Sequence, residues 1–435
     1  MLRISQVAQL SKRLVRSLSI TKVIANGSVL LESDGVVRVD NGSGNVSRFH
    51  GVWLRDNCPC PICRHPQTGQ RCTSPAHSSV APKTVVRITS PQGSRVKVVW
   101  HDAHESIYDA AWLNIHSYWS EGPPVSSATT STSPLLLDSW SHDVARDVRG
   151  RVVWRGSDIP SSAPPHVPHD AFMNHNSDGL VRALRALRDY GLVIVRGCAP
   201  SDAATEAVIR RIGFIRPTLY GEGMWRTEMR SGAAVVDTAF TAAPLALHTD
   251  GNYFADTAPG LQVFHCTVAD ESGGGASLLL DGLAAAAEVK VRDPSAFKLL
   301  SSWPIEYHHS GIDGLVRAAR PVFELDTLGA TVSVGWNDDD RLPVTLPPGR
   351  RQEDILAFYR ALDTLRTVLT DPKMVLRFAL RPRDVLIFDN TRILHGRDGF
   401  QVKSGRTLVG AYMGRDEWQS KLRQEEYRLK QSKLA

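Results

Sequence analysis

His248-Thr249-Asp250 and, 145 residues beyond the aspartate, His395 within Asp389-Asn390-Thr391-Arg392-Ile393-Leu394-His395-Gly396-Arg397 decide how this chain is read. Two imidazoles and one carboxylate on one face of a metal leave the opposite positions open. That arrangement suits a non-haem Fe(II) that must hold an oxo-acid and O2 side by side. On a strand, residues i and i+2 share a face, so His248 and Asp250 are expected to project inward together while Thr249 turns away. His395 would arrive from a second strand, the one after the apolar run Asp384-Val385-Leu386-Ile387-Phe388. A lone His-x-Asp is also met as an ordinary hydrogen-bonded core pair. The surroundings therefore have to carry the reading.

Working outward, strand-like runs flank this motif. Gly191 to Gly197, Leu261 to Cys266, Ser277 to Leu280, Thr331 to Val334, Asp384 to Phe388 and Thr407 to Tyr412 are short, apolar or β-branched and bounded by turn residues. Amphipathic helices are expected over Asp178 to Tyr190, with Leu180, Leu184 and Leu187 on one face, and near Gln352 to Thr370. Many short strands broken by turns predict a mainly β protein with flanking helices, a double-layered barrel or jelly roll rather than a parallel α/β sheet. Shorter β-branched stretches at Gly35 to Val39, Thr84 to Ile88 and Val96 to Trp100 predict a separate β-rich unit over 23–125. The Ser/Thr run from Ser126 to Pro134 and the loose stretch Ser157 to Pro168 place a linker over 126–168, leaving 169–435 as the catalytic unit.

The chain has 435 residues, enough for two or three units, and its 42% hydrophobic and 22% charged content is that of a globular protein. No apolar run approaches the roughly 20 residues needed to cross a bilayer. The net charge of +6 lies in the first segment, because residues 1–31 hold Arg3, Lys12, Arg13, Arg16 and Lys22 and no acid precedes Glu32. Setting those five aside leaves 46 basic against 45 acidic residues, which argues against a nucleic-acid-tracking surface. Val7, Leu10, Leu14 and Leu18 recur at helical spacing opposite Lys12, Arg13 and Arg16, among five serines before residue 29. That composition predicts a mitochondrial transit peptide over 1–22 and a place in the matrix; a basic tail with accidental periodicity is the competing reading.

Four of the six cysteines, at 58, 60, 63 and 72, fall within fifteen residues. In a reducing compartment such crowding points to metal rather than disulfides. Cys58-Pro59-Cys60-Pro61-Ile62-Cys63 supplies three thiolates, and a histidine from elsewhere, His101 or His104, would close a tetrahedral zinc site that holds the N-terminal unit together.

Eleven residues after His395 comes Arg406, whose guanidinium could clamp the remote carboxylate of 2-oxoglutarate in two-pronged fashion, and Ser277, after Gly273-Gly274-Gly275, could add a hydroxyl. Here the sequence resembles the Fe(II)/2-oxoglutarate dioxygenases of the taurine dioxygenase type, in particular the carnitine-synthesis hydroxylases acting on γ-butyrobetaine and trimethyllysine. The stretches that carry the resemblance are Ile215-Arg216-Pro217-Thr218-Leu219-Tyr220-Gly221, Met224-Trp225, Asp237-Thr238-Ala239-Phe240-Thr241, His248-Thr249-Asp250 with Tyr253-Phe254, and Gly260-Leu261-Gln262-Val263-Phe264-His265-Cys266. Further on come Leu278-Leu279-Leu280-Asp281-Gly282, Ile387-Phe388-Asp389-Asn390 and Leu394-His395-Gly396-Arg397. The resemblance implies a double-stranded β-helix, iron on His248, Asp250 and His395, 2-oxoglutarate on Arg406, His104 as the fourth zinc ligand, ascorbate as an auxiliary reductant, and a homodimer.

A trimethylammonium group neither accepts nor donates hydrogen bonds, so it is recognised by aromatic faces, each worth roughly 0.5–2 kcal/mol. The resemblance places Tyr220, Trp225, Phe240 and Tyr412 in such a cage. Phe240 stands where a tyrosine is usual, and the segment from Tyr220 to Trp225 is one residue longer than the family pattern. Asp237 is the candidate partner for a substrate ammonium, with a turn or cap role as the alternative, and Asn337 the candidate for the substrate carboxylate. The activity implied is hydroxylation of Nε-trimethyllysine to 3-hydroxy-Nε-trimethyllysine with release of succinate and CO2, the opening step of carnitine synthesis. Its rivals are hydroxylation of γ-butyrobetaine to carnitine and, in another class, a zinc-dependent interaction protein carrying an inactive barrel.

Overall fold

A computed structural model describes residues 28–40, 46–66, 69–72, 81–90, 93–121, 151–160, 164–219, 221–227, 241–270, 274–311, 314–401 and 405–432. The transit segment 1–22, residues 126–150 of the expected linker, and Tyr220, Asp237 and Phe240 lie outside these. Among the described residues no helix is long and apolar enough to cross a membrane.

Two sheets face one another in the catalytic unit. The larger runs in the order Trp225–Arg226, Thr407–Met413, Leu261–Val268, Asp384–Asp389, Leu192–Arg196, His166–Pro168, antiparallel except for the last pair. The smaller runs Leu245–His248, Ile393–Arg397, Ser277–Asp281, Leu376–Phe378, antiparallel throughout. The expected jelly roll is thus present. Its strands have buried faces on both sides because alternate residues serve different cores. Leu192, Ile194, Leu386 and Phe388 point between the sheets and meet Leu279 and Ile393. Val193, Val195, Val385 and Ile387 face outward onto the helices Gly179–Tyr190, Asp202–Ile212 and Arg415–Ser432 through Leu184, Leu187, Val208, Ile212 and Trp418. Each such side chain, fully buried, contributes roughly 1.5–3 kcal/mol.

The N-terminal unit pairs a four-stranded sheet, Val29–Leu31, Val36–Asp40, Val46–His50 and Ser120–Glu121, with a three-stranded one, Pro82–Ser90, Gly93–Trp100 and Glu105–Asp109. Its helix Gly51–Asp56 is buried along its whole length. Trp53 donates to the carbonyl of Val344 at 3.0 Å. Asp56 receives both terminal nitrogens of Arg341 and the hydroxyl of Tyr359 at 2.9 Å. The two units share one apolar cluster, in which Phe49, Trp53 and Tyr108 join Trp303, Phe358 and Leu362.

The expected linker does not stay loose up to residue 168. Trp154 is 2% exposed, its indole donates to the carbonyl of Tyr190 at 2.7 Å, and Arg392 donates to the carbonyl of Val152. His166–Pro168 then joins the edge of the larger sheet. Trp154 closes the short run Val152-Val153-Trp154, too brief to show a period.

Candidate metal centre and cavity

Strand register, not sequence proximity, brings the two histidines together. His248 lies directly opposite His395 in the smaller sheet, and Leu279 opposes His395 from the other side. On the strand Ile393–Arg397, Ile393 packs between the sheets while Leu394 serves the outer core, so His395 two residues on points inward with Ile393. Their rings lie 4.3 Å apart. Asp250 differs from expectation: the strand ends at His248, and Asp250 sits in the turn beyond it. Asn390 holds that turn, accepting from the Asp250 amide at 2.9 Å and donating to its carbonyl at 3.0 Å. Thr249 faces away as expected, buried against the carbonyl of Trp336.

The donor atoms are oriented by a second set of contacts. His248 Nδ1 lies 2.8 Å from the carbonyl of Ala246, which it can only approach as a donor, so Nε2 is the nitrogen that faces Asp250 and would be the one offered to a metal. Asp250 Oδ2 accepts from Gln262 and from the Tyr412 hydroxyl, both at 2.7 Å. Oδ1 lies 3.3 Å from His248 Nε2, and Oδ2 3.8 Å from His395 Nε2. Burial alone would push Asp250 up, but His395 and His248 overcome it and hold the carboxyl well below its usual range. Burial pulls His248 down, yet the Asp250 hydrogen bond and charge lift it to about 9. His395, desolvated and beside a cationic His248, falls to about 3. One imidazole stays neutral and the other is held as a cation by a carboxylate, a role that a metal ion could take over.

The residues fit such an ion. The three donor atoms lie within 4.8 Å of one another. Adjacent ligands of an octahedral ion with bonds of about 2.1 Å are separated by about 3 Å, close to the histidine–carboxylate distance. The open side faces a cavity lined by Gln262, Phe264, Ser277, Phe388, Arg406 and Tyr412 among others. Phe388 and Phe264 lie 5.0 and 5.8 Å from the His395 ring and keep its environment apolar.

Arg406 is 7% exposed and reaches the cavity from the position just before the strand Thr407–Met413. Burial lowers its pKa, with Cys266 and Asp270 opposing. Phe400 lies under its guanidinium at 5.4 Å and under that of Arg397 at 4.9 Å. Gly275, at φ +67°, leaves the space Arg406 needs; a Cβ there would come within 2.9 Å of its side chain. Ser277, buried opposite Arg397, lines the same cavity.

Of the expected cage, Trp225 and Tyr412 are brought together with ring centroids 5.6 Å apart, and Phe264 meets Trp225 edge-on at 5.5 Å. The Trp225 ring fills the space above Gly410 that any side chain would claim. Tyr412 serves two purposes, since its hydroxyl holds Asp250 while its ring faces the cavity. Asn337 lines the cavity too, donating to Asp340 at 2.8 Å. Gln70, Asp339, Asp340, Gln262 and Asn390 were not expected at the site. Gln262 had a signal: a lone amide at an inward position of an apolar strand. Gln70 had none.

Cys58, Cys60 and Cys63 present their sulfurs to His104 Nε2 at 3.2, 3.5 and 3.6 Å. Two ligands of a tetrahedral zinc, at about 2.3 Å for sulfur and about 2.0 Å for nitrogen, stand about 3.5 Å apart. The donors match. A hydrogen bond with Cys63 and burial push the Cys58 thiol far up. Arg55 stands 4.0 Å from Cys63 and pairs with Asp102, which accepts from the His104 amide. His101, the competing fourth ligand, is exposed and takes no part in the cluster.

Known proteins can be set beside this geometry. Residues 158–412 match the model of the taurine catabolism dioxygenase TauD, TfdA family, and residues 29–114 that of the gamma-butyrobetaine hydroxylase-like N-terminal domain. The chain is 32% identical to the trimethyllysine dioxygenase of Meyerozyma guilliermondii, over 89% of this chain and 92% of that protein. It is 31% identical to the gamma-butyrobetaine dioxygenase of Pseudomonas sp., with the same coverages. It is 30% identical to the mitochondrial trimethyllysine dioxygenase of Homo sapiens, over 86% of this chain and 82% of that protein. With a family model spanning both sheets and relatives aligned along nearly the whole chain, this protein belongs to the TauD/TfdA family of dioxygenases.

Proposed function

We propose that this protein hydroxylates Nε-trimethyllysine in an Fe(II)- and 2-oxoglutarate-dependent reaction, releasing succinate and CO2, as the first step of carnitine synthesis. The observation that carries the reading is the convergence of His248, Asp250 and His395 on one point at the wall of a cavity that also holds Arg406. Bound there, iron would supply O2 activation at the expense of the cosubstrate's oxidative decarboxylation. The chain does the rest. Arg406 and Ser277 bind the remote carboxylate of 2-oxoglutarate, Gln262 and Tyr412 fix Asp250, and Leu279, Leu386 and Phe388 exclude water from the reacting carbon.

Trp225, Phe264 and Tyr412 offer π faces to the quaternary ammonium. Asp237 and Phe240 complete the substrate contacts in this reading, with Tyr220. The choice of trimethyllysine rests on Asp339 and Asp340, which line the same cavity. An amino-acid substrate brings an α-ammonium to meet them; butyrobetaine brings only a carboxylate, which they would repel. The second reading, γ-butyrobetaine hydroxylation, is favoured by the 31% identity to the gamma-butyrobetaine dioxygenase of Pseudomonas sp.. Zinc on Cys58, Cys60, Cys63 and His104, ascorbate as reductant, a homodimer, a matrix location and a division near residues 125 and 168 belong to the same proposal.

The test is a turnover assay with each amine separately. Succinate must form from 2-oxoglutarate in strict dependence on trimethyllysine, whose mass must rise by one oxygen. Turnover of butyrobetaine alone would transfer the enzyme to the second reading, and turnover of neither would defeat both.

A further inference from the structure

The Cys cluster is far from inert with respect to the cavity, because the chain that leaves it returns carrying a residue into the cavity wall. From Cys63 the backbone turns and comes back antiparallel: Arg64 bridges Arg71, the His65 amide donates to the Gln70 carbonyl at 2.8 Å, and the Cys72 amide donates to the Cys63 carbonyl at 3.0 Å. Two adjacent residues of the returning arm then grip one segment of the catalytic unit. Arg71, 4% exposed, donates to the carbonyls of Asp338 at 3.0 Å and Arg341 at 2.7 Å, bracketing Asp339 and Asp340. Gln70 donates to Asp340 Oδ1 at 3.2 Å and itself lines the cavity. Asp340 Oδ2 in turn accepts from Asn337, and Asn337 Oδ1 accepts from the Asp339 amide at 3.0 Å.

Gln70, Asp340 and Asn337 therefore form a continuous hydrogen-bonded wall, and only Gln70 is supplied by the N-terminal unit. The opposite wall is aromatic: Trp225, Phe264 and Tyr412. A substrate with a quaternary ammonium at one end and an amino-acid head at the other would span the two.

We propose that Gln70 is a positioning residue for the substrate's polar head, acting through Asp340 and Asn337, so that the metal-folded N-terminal hairpin forms part of the substrate site rather than a mere prop. This rests on the proposed amine hydroxylation and names the part of the cavity that selects between the two amines. The side-chain amide is neutral and donates to Asp340; its loss removes one of the hydrogen bonds that fix Asp340 and Asn337 at the cavity wall, at the expense of binding and not of the reacting centre.

The experiment compares Gln70→Met, which keeps length and volume, and Gln70→Ala with the parent protein. Equilibrium binding of Nε-trimethyllysine and of γ-butyrobetaine is measured by calorimetry, beside steady-state KM and kcat, zinc content by elemental analysis, and Tm. Both variants should raise the Kd and KM for trimethyllysine about three- to tenfold, the worth of one neutral hydrogen bond. Butyrobetaine binding should change less, kcat should fall less than twofold, and zinc content and the KM for 2-oxoglutarate should hold. Wild-type trimethyllysine affinity in both variants overturns the proposal. So does loss of zinc or a fall in Tm that tracks the loss of affinity in Gln70→Met, since the residue would then be structural only. Failure of the parent protein to bind either amine is read before any variant; it marks failure of the functional reading itself and removes this inference with it.

Discussion

The two clusters of metal-ligating side chains are built on opposite plans. Cys58, Cys60 and Cys63 lie within six residues, and His104, 41 residues after Cys63, joins them; four donors would close a tetrahedron and leave no position open. His248 and Asp250 wait for His395, which reaches them only when the barrel pairs its strand with theirs, and three donors leave one side open to a cavity. The contrast teaches that a local cluster can fold a segment, whereas a cluster assembled by strand register presupposes the fold and is spared for chemistry.

That contrast breaks most sharply under paired substitutions. Asp250→Ala should reduce turnover by roughly a hundredfold or more, since even the partners of metal ligands are worth 10- to 100-fold. Its Tm should stay near that of the parent. Cys60→Ser should do the reverse to the balance, losing zinc and several kcal/mol of stability while iron content per folded molecule is kept. Calorimetry and metal analysis of both proteins check this; equal Tm losses would erase the distinction. Arg406→Lys keeps the charge but not the fork, so the KM for 2-oxoglutarate should rise roughly tenfold with trimethyllysine KM little changed. Tyr412→Phe keeps the ring and removes one hydrogen bond on Asp250. Iron affinity should weaken roughly tenfold, read by competition with a chelator.

The smallest effect concerns acid. Burial would raise the Asp338 carboxyl, but Arg341, Arg366 and Arg71 prevail and hold it well below the usual range. The stability it contributes is complete above the unfolded value of about 3.9 and is lost as pH falls toward the lower folded value. Asp338→Asn should therefore lower Tm clearly at pH 7 and by less at pH 3, measured by scanning fluorimetry.

The sequence made the ligand set legible because its residue types are rare together and flanked by strand-like runs. Expected strands such as Leu261 to Cys266 and Thr407 to Tyr412 are realised with only their ends moved, as Leu261–Val268 and Thr407–Met413. Asp250 was misplaced onto the strand because nothing nearby announces that Asn390, 140 residues away, will hold it in a turn. Gln70 was invisible for a similar reason: its partner Asp340 lies 270 residues on. Pairings of that separation leave no periodic trace; only tertiary packing creates them. The burial of Trp154, at the end of the short run Val152-Val153-Trp154, likewise depends on a partner apart in sequence, Tyr190.

One consequence reaches the bench. Arg341 is completely enclosed, with both ends of its guanidinium on the carboxylate of Asp56, and the apolar cluster beside it draws rings from both units. Trimming the chain to its dioxygenase half would take Asp56 from Arg341, leaving it Asp338 alone, and peel open a hydrophobic face. What looks like a modular boundary is a seam, and the shorter protein should aggregate rather than work.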